Sequence, residues 1–210
     1  RLLLSALHSA GNFVILHNNK PHPHKRDFLI QGNNMSNVYD VAIKTPLQFA
    51  PKLSKQLNAS MYFKREDLQP VFSFKIRGAY NKISQLTEAE KQRGVIAASA
   101  GNHAQGVALS AKNLGLSALI VMPQTTPSIK IEAVESYGAQ VVLYGDNYSE
   151  CAEHCAKLVE STGRTFIHPY DDPLVIEGQG TIGSEILDQL SGVTHIFVPV
   201  GGGGLITGIA

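Results

Sequence analysis

Short apolar runs alternate with helix-patterned segments along most of this chain, and that alternation limits its possible folds more than any other feature. Runs at 60–63 (SMYF), 95–99 (VIAAS), 117–123 (SALIVMP), 140–145 (QVVLYG), 165–169 (TFIHP) and 195–200 (HIFVPV) read as strands. Helical patterns are expected over 74–85, 102–115, 147–162 and 173–190. Thr87 and Glu90 form a T-x-x-E capping box that opens a short helix stopping near Gly94. Thr126-Pro127 is expected to cap and start another helix, which Gly138 ends. Strand–helix alternation with short turns predicts parallel strands covered on both faces, and continuous apolar runs suit strands buried on two sides. In open α/β sheets a ligand sits beyond the carboxyl ends of the strands. Two loops fall there: Ser99 to His103 and Gly201 to Gly204.

Composition narrows the function. At 43% hydrophobic and 17% charged with a net charge of +1, the 210 residues suit one large globular domain or two small ones. The absence of a basic run argues against a nucleic-acid or anionic-membrane partner, and no apolar stretch reaches the ~20 residues of a membrane span. Cys151 and Cys155 stand four apart in an expected helix, a spacing unsuited to a disulfide. With His154 between them they still lack a recognised metal-ligand spacing, so buried small hydrophobes in a reducing compartment is the reading adopted. Residues 1 to about 35 carry a single acid, Asp27, and a His/Pro/Lys patch containing His22 and His24. They are set aside as a disordered tail, a targeting remnant, or sequence joined upstream of a start at Met35. The trio His17, His22 and His24 is read as part of that tail, with no metal site.

The run VPVGGGGLITGIA is a strand, four glycines and the start of a helix. Consecutive glycines let backbone N–H groups approach a ligand closely, and a monophosphate is the natural guest. A dinucleotide fingerprint fails because Ile206 stands where its third glycine belongs, and a Walker loop over Gly101 to Gly106 fails because Val107 replaces the lysine. The closing helix is cut at Ala210 after barely a turn and a half, so the chain is expected to be a fragment. Lys75 lies among Phe72, Phe74, Ile76 and Arg77. Burial there, with Arg77 pushing the same way, is expected to lower its amine pKa and suit it to Schiff-base chemistry. A lysine whose stem packs on rings while its ammonium reaches water is the bland alternative. Lysine plus monophosphate site is the pair that pyridoxal phosphate requires. In SAGNHAQG, Ser99, Gly101 and the first helical N–H groups make a turn suited to a carboxylate. Asn102 offers an amide to a ring hydroxyl, and His103 is either a general base or a structural histidine at a helix start.

Together SFKIRGAY, SAGNHAQGVA and VPVGGGGL resemble the fold-type II pyridoxal-phosphate enzymes, and among them the biosynthetic threonine dehydratases, from about Val38 to Ala210. The resemblance implies a tryptophan-synthase-β-like α/β architecture of two open parallel-sheet domains. The small one would span 61–164, and 36–60 with 165–210 would form part of the larger one, incomplete at its carboxyl end. It also implies pyridoxal 5′-phosphate bound to Lys75, with Phe74 against its ring and Asn102 on its O3′. Gly201, Gly202, Gly203 and Gly204, with Leu205 beside them, would hold the phosphate. Ser99, Ala100, Gly101, Asn102 and His103 would take the substrate carboxylate. The implied reaction is α,β-elimination of L-threonine, with L-serine as a second substrate, to 2-oxobutanoate and ammonia at the head of isoleucine biosynthesis. The partner of the pyridine nitrogen and an isoleucine-reading domain are expected beyond Ala210. A small amino-acid substrate, a homo-oligomer (dimer or tetramer) and a cytoplasmic or organellar setting complete the implied picture. Cysteine-synthase-like relatives usually carry threonine at the place of His103, and serine racemases usually carry serine at that of Ala100. A serine racemase/dehydratase and a catalytically silent phosphate-binding fragment are the competing readings.

Overall fold

Two four-stranded sheets organise the chain in the computed structural model, which describes residues 13–17 and 38–210. His22 and His24 lie outside the described residues, as do the side chain of His17 and the remainder of the first 37 positions. Strands β1 (Phe13–His17), β2 (Leu47–Phe49), β3 (Ser60–Lys64) and β8 (Val193–Phe197) form one sheet in the order β2-β3-β1-β8. Strands β4 (Val95–Ala98), β5 (Ala118–Met122), β6 (Gln140–Leu143) and β7 (Thr165–Phe166) form the other in the order β6-β5-β4-β7.

The second sheet is parallel throughout, with Val95 opposite Ala118 on one side and Thr165 on the other. Every residue of β4 and β5 is buried, as strands covered on both faces require. Val95, Ala97, Ile120 and Met122 face helices α2 (Lys75–Ser84) and α4 (Asn102–Asn113), where Ile83, Ala104 and Val107 meet them. Ile96, Ala98 and Val121 face α6 (Tyr148–Thr162) and pack on Cys151 and Cys155. Both cysteines are free and buried, and burial pushes the Cys155 thiol up to about 11. They act as small apolar side chains.

The first sheet departs from the parallel expectation. β1 runs antiparallel to both neighbours, with Phe13 opposite Lys64 and Val14 opposite Phe197, so β3 and β8 point the same way on either side of it. Part of the segment set aside as lying outside the fold is therefore paired along both edges. Ser60–Lys64 belongs with β8, and Thr165–Phe166 belongs with the parallel sheet.

Helix α7 (Pro173–Gln189) joins the sheets through α2. Asp172 caps α7 by accepting from the N–H groups of Leu174 and Val175. The helices cross at glycines: a Cβ on Gly178 would lie 2.6 Å from the Arg77 carbonyl oxygen and 2.7 Å from the Gly78 Cα. Beside this crossing Arg77, wholly buried, donates to Glu66 from Nε and Nη2 at 2.8 Å each and to Glu185 from Nη1 at 2.6 Å. Lys64, equally buried, donates to Glu185 at 2.5 Å and to the Thr45 carbonyl at 2.6 Å. Two cations and two anions thus fix the register of α2 on α7. The Thr87–Glu90 capping box opens α3 (Glu88–Arg93), which Gly94 ends at φ 79°. Thr126 does not cap α5 (Ser128–Glu135): Pro127 itself takes the cap position, and the Thr126 hydroxyl is buried without a partner. The run expected as a strand over 165–169 stops at Phe166.

Candidate active site

Lys75 is the first residue of α2, and a tight turn delivers it. Phe72 sits at φ 57°, left-handed, with its N–H bonded to the Gln69 carbonyl at 2.8 Å and its ring 69% exposed. Phe72 therefore does not crowd the lysine, as the sequence suggested; its role is to reverse the chain so that Phe74 and Lys75 turn inward. Burial pulls the Lys75 amine down to about 8 from an ordinary 10.5. Arg77 contributes nothing to this, because Glu66 and Glu185 neutralise it where it stands. The Phe74 ring centroid lies 5.4 Å from Nζ.

Lys75 opens onto a cavity of ≈ 220 Å³, with Phe74 and Asn102 beside it and Gly201, Gly202, Gly203, Gly204 and Leu205 across from it. The structure thus gathers residues that are far apart in sequence into one wall-to-wall site. Four further lining residues escaped the sequence reading: Pro169, Tyr170, Gln179 and Pro199. Lys75 Nζ donates to the Pro169 carbonyl at 2.5 Å. A Cβ on Gly202 would run into the Tyr170 ring, and one on Gly204 into the Tyr170 carbonyl. Gly203 holds φ 90°, which a side chain would strain. The position of this wall has a signal in the topology. Residues 168–170 follow β7 at the carboxyl edge of the parallel sheet, the same topological position as the loop after β4, whereas the apolar run predicts a strand as far as residue 169.

The remaining members of the loop after β4 stand differently. Ser99, Ala100 and Gly101 form the approach to α4, where the Ser99 hydroxyl accepts from the Gly101 N–H at 3.2 Å, and none of them lines the cavity. His103 points into the core at 4% exposure. Its Nε2 meets the Ile167 carbonyl at 2.8 Å; a carbonyl can only accept, so the ring proton is on Nε2 and Nδ1 is a buried lone pair without a partner. Burial first, then the neighbouring Lys75 charge, lowers its pKa to about 3. In this arrangement His103 is a neutral core histidine that braces α4 against the segment just after β7. Of the two roles left open by the sequence, the geometry matches the structural one.

The donor set fits pyridoxal phosphate. A partly neutral amine faces a loop of four glycines in which Tyr170 occupies the space that side chains on Gly202 and Gly204 would need. An aromatic ring, Phe74, and an amide, Asn102, line the same cavity. Residues 38–210 match the family model described as pyridoxal-phosphate dependent enzyme. The chain belongs to that family.

Among its curated relatives, a tomato (Solanum lycopersicum) protein named threonine dehydratase 1 biosynthetic, chloroplastic, is 62% identical over 176 residues, covering 83% of this chain and 29% of the relative. The solved structure of the processed form of tomato threonine deaminase isoform 2 superposes with a TM-score of 0.78 at 55% identity, over 83% of this chain and 51% of that one. Maize serine racemase follows the same fold at a TM-score of 0.77 but only 33% identity, over 82% of this chain and 53% of its own. The chain therefore spans roughly a third of the length of its curated relatives and about half of the solved chains. Among the described residues no helix is long and apolar enough to cross a membrane.

Proposed function

We propose that this site binds pyridoxal phosphate covalently through Lys75 and serves the α,β-elimination of L-threonine to 2-oxobutanoate and ammonia, with L-serine as a second substrate. The observation that carries the reading is the Lys75 amine facing the Gly201–Gly204 loop across a single cavity. When bound, the cofactor supplies an electron sink for the pair left on the substrate Cα. The chain's own residues do the rest. An amine with a pKa near 8 is substantially neutral at mildly alkaline pH, so it can attack a carbonyl and, once free, take up a proton. The Pro169 carbonyl holds that amine in place by accepting from Nζ. The backbone N–H groups of Gly201 to Gly204 would hold the phosphate, with Leu205 below them. Phe74 would lie against the ring, and the exposed Asn102 amide would meet its hydroxyl.

Ala100 carries no proton-bearing group, which favours one-faced elimination over racemisation. The 62% and 33% identities to a threonine dehydratase and a serine racemase weigh the same way. In a full-length assembly the protein would act as a homo-oligomer in the cytoplasm or an organelle, at the entry to isoleucine synthesis. The test is borohydride reduction after incubation with pyridoxal phosphate, followed by peptide mass mapping. A phosphopyridoxyl mass on Lys75, absent in Lys75→Ala, is expected, together with 2-oxobutanoate from L-threonine in a chain extended past Ala210. D-Serine formed from L-serine at a comparable rate would replace this reading with the racemase. A folded sample unlabelled at Lys75 both as it stands and when extended would leave only a phosphate-binding module.

A further inference from the structure

The Lys75 amine owes its position to a carbonyl that belongs to another segment, and that segment is shaped by one imidazole. His168 Nδ1 accepts the Asp171 N–H at 2.7 Å and the Tyr170 N–H at 3.3 Å. Two donors on one ring nitrogen make it a lone pair, with the proton on Nε2. The imidazole thereby closes the turn 168–171 by a side-chain-to-backbone bond of the kind Asn and Asp make in Asx turns. Three consequences meet in the site. The turn aims the Pro169 carbonyl at Lys75 Nζ, 2.5 Å away. It stands the Tyr170 ring edge-on to His168, with centroids 4.7 Å apart. It also presses Tyr170 on Gly202 and Gly204, where no Cβ would fit. The Phe166 ring, 5.8 Å from the His168 centroid and nearly perpendicular, holds the imidazole from the strand side.

We propose that His168 is a positioning residue for the Lys75 amine and for the glycine loop, acting through its Nδ1 acceptor. This deepens the cofactor-binding reading above and rests on it for the loop. The placement of Lys75 by the Pro169 carbonyl stands without it. His168 touches neither the amine nor the glycines. It sets the backbone that does.

The test uses the full chain with His168→Asn and His168→Ala. Asparagine carries its Oδ1 close to the position of Nδ1 and keeps an acceptor for the turn; alanine removes it. The first readout needs no cofactor: acetylation of Lys75 by acetic anhydride, measured by peptide mass against the exposed Lys52. The second is the concentration of pyridoxal phosphate that half-labels Lys75 under borohydride. With the acceptor gone, His168→Ala should acetylate Lys75 about tenfold faster and need about tenfold more cofactor, the scale of a lost hydrogen bond or two. His168→Asn should stay within about threefold of the natural chain in both. Unchanged acetylation and labelling in His168→Ala would overturn the proposal. So would equal losses in both variants at matched thermal stability, since the bulk of the ring would then be what matters. If the natural chain takes no label yet the acetylation rates divide as expected, the cofactor reading falls and the positioning of Lys75 by His168 stands.

Discussion

Replacing Arg77 by methionine tests whether the buried charges hold α2 in place. The guanidinium is fully buried and donates to Glu66 at 2.8 Å twice and to Glu185 at 2.6 and 3.1 Å. Methionine fills much of the volume but leaves three charges, Lys64, Glu66 and Glu185, where four had balanced. Breaking a buried pair from one side costs about 3–5 kcal/mol. For a chain of this size each kcal/mol lowers the melting temperature by about 2–4 °C, so a fall of roughly 6–20 °C follows. The geometry also says which second change repairs the damage. Lys64 lies 2.5 Å from Glu185, so adding Glu66→Gln leaves one matched pair. Adding Glu185→Gln instead leaves Lys64 and Glu66 without their direct partners. Guanidinium denaturation at pH 7 should therefore show Arg77→Met/Glu66→Gln recovering a large part of the loss and Arg77→Met/Glu185→Gln much less. A loss below about 1 kcal/mol for Arg77→Met, or equal recovery in the two double variants, would refute the reasoning.

Other outcomes follow from single features. Because Lys75 falls to about 8 when folded, the unfolded chain binds that proton more tightly. The natural chain should gain stability relative to Lys75→Met as pH rises from about 8 towards 10.5, and lose that gain as pH falls back through about 8, as paired denaturation curves would show. Gly204→Ala forces a methyl group into the Tyr170 carbonyl and should weaken pyridoxal-phosphate labelling at least tenfold, whereas Gly201→Ala meets open space and should change it less than threefold. Thr87→Ala removes the hydroxyl half of the α3 capping box, the acceptor of the Glu90 N–H, but keeps the Thr87 N–H on the Glu90 carboxylate, and should cost about 1 kcal/mol in chemical denaturation, with no effect on labelling.

The parallel sheet was legible because its strands are buried on both faces and its helices carry local punctuation. The capping box at Thr87 and the glycine stops at Gly94 and Gly163 mark helix ends in any context. Lys75, Asn102 and the glycine loop were legible because each follows directly on a strand or opens a helix. What escaped was set by tertiary partners. The pattern at Phe72 reads as a packed aromatic, yet a left-handed turn sends its ring outward. His103 is polar at a helix start, and only the position of the Ile167 carbonyl turns it into the core. The apolar letters of TFIHP do not reveal that His168 bonds to the backbone two and three residues ahead and ends the strand early. Nor could composition show that Phe13–His17 pairs with strands that follow it by more than 40 and more than 170 residues.

The crossing of α2 on α7 bears on the order of events during synthesis. Lys75, Arg77 and Lys64 leave the ribosome about a hundred residues before Glu185 and more than 120 before the end of the glycine loop. At about 5–20 residues per second that interval is roughly 6–25 s. Through it Lys64 is without its carboxylate partner Glu185, Arg77 has Glu66 alone, and an apolar face of α2 has no counterpart. The parallel sheet, whose strands lie within 95–166, can assemble in the meantime and cover one side of α2. The other side closes only when α7 arrives, and under the proposed function cofactor capture by the growing chain would wait until Gly204 is in place.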